Sequence, residues 1–344
     1  MNRIESVDIF RLIAIIGVVS GHTTPFKADI LVNNETYKYL DVIINQILRF
    51  AMPFFFIISG YFWGVKIRRD KDIVLTSINM AKRILTIFIA WSIIYLLPIN
   101  LSAFFEYGVL GPIKVVYRNI CYLIEHPIIL LMQGTKGHLW FLVALFFALV
   151  LSAIFVNKKR IMFLVLLSSS LYIIGVLAKA YTNTPIGIEI NFNTRNGPFF
   201  STLPFVTGYI MSGLNTHTKW LLYGSVVFFL GTFLHFIEIY TLMVAFATSP
   251  KQEYVIGTYF MGLGVSMIAL SNHPALKNQL LSQFGQLTLG IYAVHLIFVD
   301  LLRPIDKYSD SILWELSYML LAVILSISTS FFLSKNRFLK GIFV

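Results

Sequence analysis

The sequence predicts an all-α polytopic membrane protein of about ten transmembrane helices, with both termini in the cytoplasm and one interfacial or re-entrant segment near 113–132. Three observations carry that expectation. Hydrophobic residues make up 57% of the 344 and charged residues only 12%, at a mean hydropathy of +0.78, a balance no ordinary soluble domain keeps. Apolar runs of membrane length recur along the whole chain, near 7–23, 42–64, 81–101, 138–156, 161–180, 198–213, 219–243, 253–270, 285–303 and 312–334. The basic residues are also unevenly shared. With the N-terminus inside, about 15 Lys and Arg fall on inner segments and about 11 on the longer outer loops and outer helix ends, while acidic residues divide about 4 to 12. The formal charge of +11 is therefore an orientation signal, and membrane lipid rather than nucleic acid is the expected surrounding. A single domain over 1–344 is expected, with no separate soluble domain. The lone Cys121 provides no disulfide framework.

The first span carries the strongest signal. Arg11 and His22 both lie within it, and ionisable groups at membrane depth are costly and usually functional. Eleven residues at about 100° each come to about 20° past three turns, so both side chains share one helix face, roughly 16 Å apart along the axis. Asp8 stands one turn before Arg11 and is placed to pair with it. Gly21-His22-Thr23-Thr24 offers no small-x-small cleavage site, so an uncleaved span is expected. The second span brings Arg49, a cation in need of a partner, then Pro53-Phe54 through Ser59-Gly60-Tyr61. Ordinary helix packing accounts for its Pro and Gly. The pair is echoed in the sixth span by Pro204-Phe205 and Gly208-Tyr209, without the symmetry of an inverted repeat. Lys82-Arg83, with Arg68-Arg69 upstream, is the densest inner basic cluster, explicable by orientation alone or by a phosphate-bearing ligand. Between 113 and 132, Lys114, Arg118 and Glu125 interrupt an apolar run, which reads as interfacial or re-entrant. His138 and Trp140 open the fourth span, Trp140 reading best as an aromatic-belt anchor. Tyr292 and His295 lie near the middle of the ninth span, where His295 either bonds a neighbouring helix or takes a direct part in chemistry.

Neither a zinc signature nor a phosphate loop nor a nucleophile-elbow serine occurs, so no metal is expected. Taken as an ordered series, these motifs resemble the type 3 family of integral-membrane acyltransferases. The resemblance rests on Asp8-x-x-Arg11-x10-His22, on Arg49 to Pro53 and Ser59-Gly60, on Lys82-Arg83, on His138-Leu139-Trp140, on Pro204-Phe205 to Gly208-Tyr209, and on Gly290 to Tyr292 and His295. Thr86 departs from it, where members often carry a further Arg. The resemblance implies a ten-helix bundle in the cell membrane. It also implies transfer of an acyl group, most often acetyl, from cytoplasmic acyl-CoA to a hydroxyl of an extracytoplasmic glycan. On that reading Lys82, Arg83, Arg68 and Arg69 hold the CoA phosphates with Arg11 at the throat. His22 is general base or acyl relay. Arg49, His295 or Tyr292 supports the oxyanion, and Asp8, Ser59, His138 and Trp140 support the site. The competing expectation is a carrier or flippase for a lipid-linked saccharide.

Overall fold

The structure, a computed structural model, describes residues 3–24, 35–97, 101–306 and 311–336. Among the described residues there are helices, turns and loops and no strand. The helices are α1 (Glu5–Thr23), α2 (Glu35–Ile47), α3 (Ala51–Asp70), α4 (Ile73–Ile94), α5 (Leu101–Tyr107), α6 (Gly111–Glu125), α7 (Pro127–Gln133) and α8 (Trp140–Asn157). They continue as α9 (Ile161–Leu177), α10 (Pro198–Met211), α11 (Trp220–Phe246), α12 (Ile256–Leu270), α13 (Gln279–Gly285), α14 (Thr288–Asp306) and α15 (Ile312–Ser334). Each of the ten expected spans is helical, the second running through α2, a 3-10 turn and α3. Among the described residues seven helices are long and apolar enough to cross a membrane, which makes this a multi-pass membrane protein. The remaining three, α9, α10 and α12, have 17, 14 and 15 residues. Helices α6 and α7 meet at 105°, a bend in keeping with an interfacial or re-entrant segment. The segment 25–41 between the first two spans lies partly outside the described residues.

Two of the span boundaries that differ from the sequence reading do so for a plain local reason. The third span starts at Ile73 rather than near 81, because the Asp72 side chain accepts from the Leu75 amide and caps the helix there. Lys82-Arg83 therefore sits well inside α4 and not at its end. The ninth span is preceded by a separate short helix, α13, capped by Asn278 and followed by a turn, so that α14 begins at Thr288. Helix α1 is the hub, packing on α3, α12, α13, α14 and α15. Helix α10 lies inside against α3, α8 and α9. The two echoing motifs meet here. A Cβ on Gly60 would lie 2.0 Å from the Phe205 carbonyl oxygen, and one on Gly208 1.8 Å from that of Ile57. Reciprocal glycines thus let α3 and α10 run backbone against backbone, the packing role expected of them.

Candidate active site

A cavity of about 670 Å³ enters the bundle between α1, α3, α4, α8 and α14. Order along the helices gives its direction. Lys66, Asn79, Arg83, Arg11 and Gln286 line the end nearer the basic loops; Ser59 and Trp63 line the middle; Met52, Phe55, Phe141 and Tyr292 close the inner end. Three cations and no carboxylate stand in that wall. Arg11 is held by Asp8, whose Oδ1 accepts from its Nη1 at 3.1 Å, and its guanidinium lies 5.0 Å from the centre of the Phe62 ring. The buried Asp8 also accepts from Arg3 Nε at 2.7 Å, and Arg3 reaches on to Ser282. One carboxylate thus fixes two cations at the foot of α1.

Of the basic cluster expected around the phosphates, Arg83 alone lines the cavity. Lys82 is exposed outside it, since neighbouring residues on a helix point about 100° apart. Arg68 is turned to Ser212 and the Tyr209 ring, 4.5 Å away, and Arg69 pairs with Asp70 at 2.7 Å. Lys66, one turn before Arg69, faces the cavity instead, and no motif in the sequence singles it out. Ser59 lines the wall as expected.

Beyond Tyr292 lies a cluster of imidazoles. His22 and His295 have ring centres 5.2 Å apart, and His138 lies 5.2 Å from both His295 and Tyr292. Tyr292 joins cavity and cluster, because its ring closes the cavity while its hydroxyl donates to the His138 carbonyl. His22 does not line the cavity itself. It is exposed at the far end of α1, next to Gly21, beside which there is open space. His295 is fully buried, and its Nδ1 lies 2.7 Å from the Tyr292 carbonyl. A carbonyl only accepts, so Nδ1 carries the proton and Nε2 presents a lone pair in the neutral ring. That Nε2 and both nitrogens of His138 have no hydrogen-bond partner among the described residues. The three rings do not converge on a point. Among the described residues, no three His, Cys, Asp or Glu are placed to hold a metal ion.

Around these rings stand charges that the sequence reading passed over. Arg195, in the loop before α10, pairs with Glu253 at 2.8 Å and lies 4.7 Å over the Trp140 ring. Burial pushes its guanidinium below the usual arginine range, with Glu253 opposing. Lys136 pairs with Asp300 and lies over the Tyr95 ring, which packs on His138. Arg49 sits on a single 3-10 turn, Leu48–Phe50, between α2 and α3, and donates to Asn45 at 2.8 Å. Trp140 is only 6% exposed, so the belt-anchor reading fails. The loop carrying Arg195 covers the start of α8 and takes the ring out of the interface.

Three curated relatives match the chain. An amino-acid racemase of Enterococcus faecalis is 26% identical over 94% of this chain and 45% of the relative. A second amino-acid racemase of that organism is 27% identical over 64% and 30%, and a serine/alanine racemase of Enterococcus gallinarum is 25% identical over 85% and 40%. The chain spans less than half the length of these relatives. No solved structure matches it. The model of the type 3 acyltransferase domain family, by contrast, matches residues 4–331. With Arg11, Ser59, Arg83 and Tyr292 on one cavity and His22, His138 and His295 in one cluster, the chain belongs to the type 3 family of membrane acyltransferases.

Proposed function

We propose that the protein moves an acyl group, most simply acetyl, from an acyl-CoA in the cytoplasm to a hydroxyl of a glycan outside the cytoplasmic membrane. The cavity wall carries this reading: three cations without a carboxylate, leading to a buried aromatic end against the imidazole cluster. Arg83, Lys66 and Arg11 suit the phosphates, with Asp8 holding Arg11 in place. The thin pantetheine arm follows the α1 face, and the thioester reaches His22 once the Tyr292 and Phe141 rings swing aside.

His22 takes the proton of the acceptor hydroxyl as its oxygen attacks the thioester carbonyl, a role worth typically 10²–10⁴-fold. The resulting oxyanion meets a donor from the neighbouring His138, whose ring nitrogens have no other partner among the described residues. Collapse breaks the carbon–sulfur bond, and the CoA thiolate recovers the proton from the imidazolium. A covalent acyl-histidine relay has the same overall balance. It is told apart by acid-trapping of labelled protein in the absence of acceptor.

Labelled acetyl-CoA added to purified protein with a crude glycan fraction tests the proposal. Label should pass to glycan, and His22→Ala should abolish the transfer at an unchanged level of protein in the membrane. Transfer retained by that variant removes His22 from the chemistry. A second reading, a carrier for a small hydroxylated molecule, is favoured by the racemase names of the relatives, which bring a hydroxyl-bearing amino acid such as serine into consideration. Transport without transfer in the same preparation decides for it.

A further inference from the structure

Charges removed from water are paired, or their site awaits a partner. At the far end of the bundle, beside the imidazoles, cations outnumber anions. Glu253 serves two of them at once, Arg195 at 2.8 Å and Lys179 at 3.2 Å. Arg49 has only the neutral amide of Asn45, and no carboxylate lies within ion-pair distance of it among the described residues. Three cations thus meet one carboxylate. Lys136 and Asp300 already balance each other. The Nε of Arg49 and the Nε of Arg195 are both buried and reach no acceptor among the described residues. A transient oxyanion calls for donors in the transition state only. Two desolvated guanidiniums held in the resting protein fit an anion that is bound before chemistry starts.

A second observation points the same way. Outward from Glu253, a polar cavity of about 390 Å³ lies between the segments 179–183 and 247–253. Lys179, Lys251 and Glu253 line it along with Asn183 and Ser249, Lys179 paired with Glu253 and Lys251 with Asp41, and no aromatic ring does. Such a wall suits a hydrated, charged molecule better than an uncharged sugar, which usually rests on an aromatic platform.

We infer that the acceptor carries an anionic group, a carboxylate or a phosphate, beside the hydroxyl it offers to His22, and that Arg49 and Arg195 hold that group. The planar guanidinium fork matches such oxyanions in pairs, which a lysine does not. The inference takes from the proposed acyl transfer only the identity of the ligand as acceptor; the anion site stands on its own geometry.

The test titrates the purified full chain in lipid nanodiscs, by calorimetry, with glucuronate against glucose and with N-acetylserine against N-acetylserinamide. Each acid differs from its neutral partner mainly in charge, and the two pairs separate a saccharide source from an amino-acid source. At least one acid should bind about tenfold or more tighter than its neutral partner. Arg49→Gln and Arg195→Gln should erase the difference, and Arg195→Lys should keep part of it, with a monodisperse size-exclusion profile showing each variant folded. Equal binding or no binding of acid and neutral forms overturns the inference, as does a preference that survives both Gln variants. The two readings fail separately. If the acid is preferred yet no label passes from acetyl-CoA to any of the four, acyl transfer falls and the anion site stands. If label passes equally to acid and neutral forms, the anion site falls and acyl transfer stands.

Discussion

The imidazole of His22 stands on the same helix as the guanidinium of Arg11, yet the two meet different surroundings. Arg11 faces a cavity wall beside Asp8 and Phe62, while His22 is exposed beside His295 at the other end. Arg11→Ala should therefore weaken acyl-CoA binding more than acceptor binding; equal losses in KM for both would remove it from the throat. The adjacent pair on α4 gives a sharper comparison. Arg83→Ala should raise KM for acetyl-CoA by about tenfold, the loss of one charge-assisted contact, while Lys82→Ala should leave it unchanged. A matched effect of the two would return the role to a diffuse basic surface. Spacing made part of this legible in the sequence. Residues 8, 11 and 22 fall on one helix face by arithmetic, whereas Arg195 with Glu253, or Lys136 with Asp300, are partners separated by 58 and 164 positions. No periodicity announces such pairs.

Helices α3 and α10 touch through Gly60 and Gly208, where a methyl group would overlap a carbonyl oxygen of the other helix. Gly60→Ala or Gly208→Ala should force the pair apart and lower stability by about 1–3 kcal/mol, read as a drop in melting temperature in detergent. An unchanged melting temperature for both would show that the contact yields freely. The similarity of the two motifs was visible in the sequence, but their mutual packing was not, because a repeated Pro-Phe and Gly-Tyr pattern does not say what faces it. Apolar runs located the ten main helices well. Boundaries slipped where a single polar side chain, Asp72 or Asn278, starts a helix within a stretch whose charges suggested a loop. The long loop before α10 carries no motif that marks its place in the fold. Its burial of Trp140 under Arg195 is a tertiary fact, and no belt statistic predicts it.

Across the whole molecule the bundle is a passage approached from two ends. After Cys121→Ser removes the background thiol, Ser59→Cys should react with a membrane-impermeant thiol reagent in inside-out vesicles. Gly21→Cys should react in right-side-out vesicles. The reverse pattern would invert the orientation drawn from the basic residues. The partition between the two ends is Tyr292, wedged by Phe141 and Met52 on one side and tied through its hydroxyl to the His138 backbone on the other. On the proposed transfer, that phenol serves an energised cell as electrical insulation. A pore kept open through the bilayer would short-circuit the ion gradients with every resting copy. Each turnover of the proposed transfer would then have to admit a thread of pantetheine without admitting a file of water, and a smaller residue at 292 should betray itself as a proton leak before it shows any loss of chemistry.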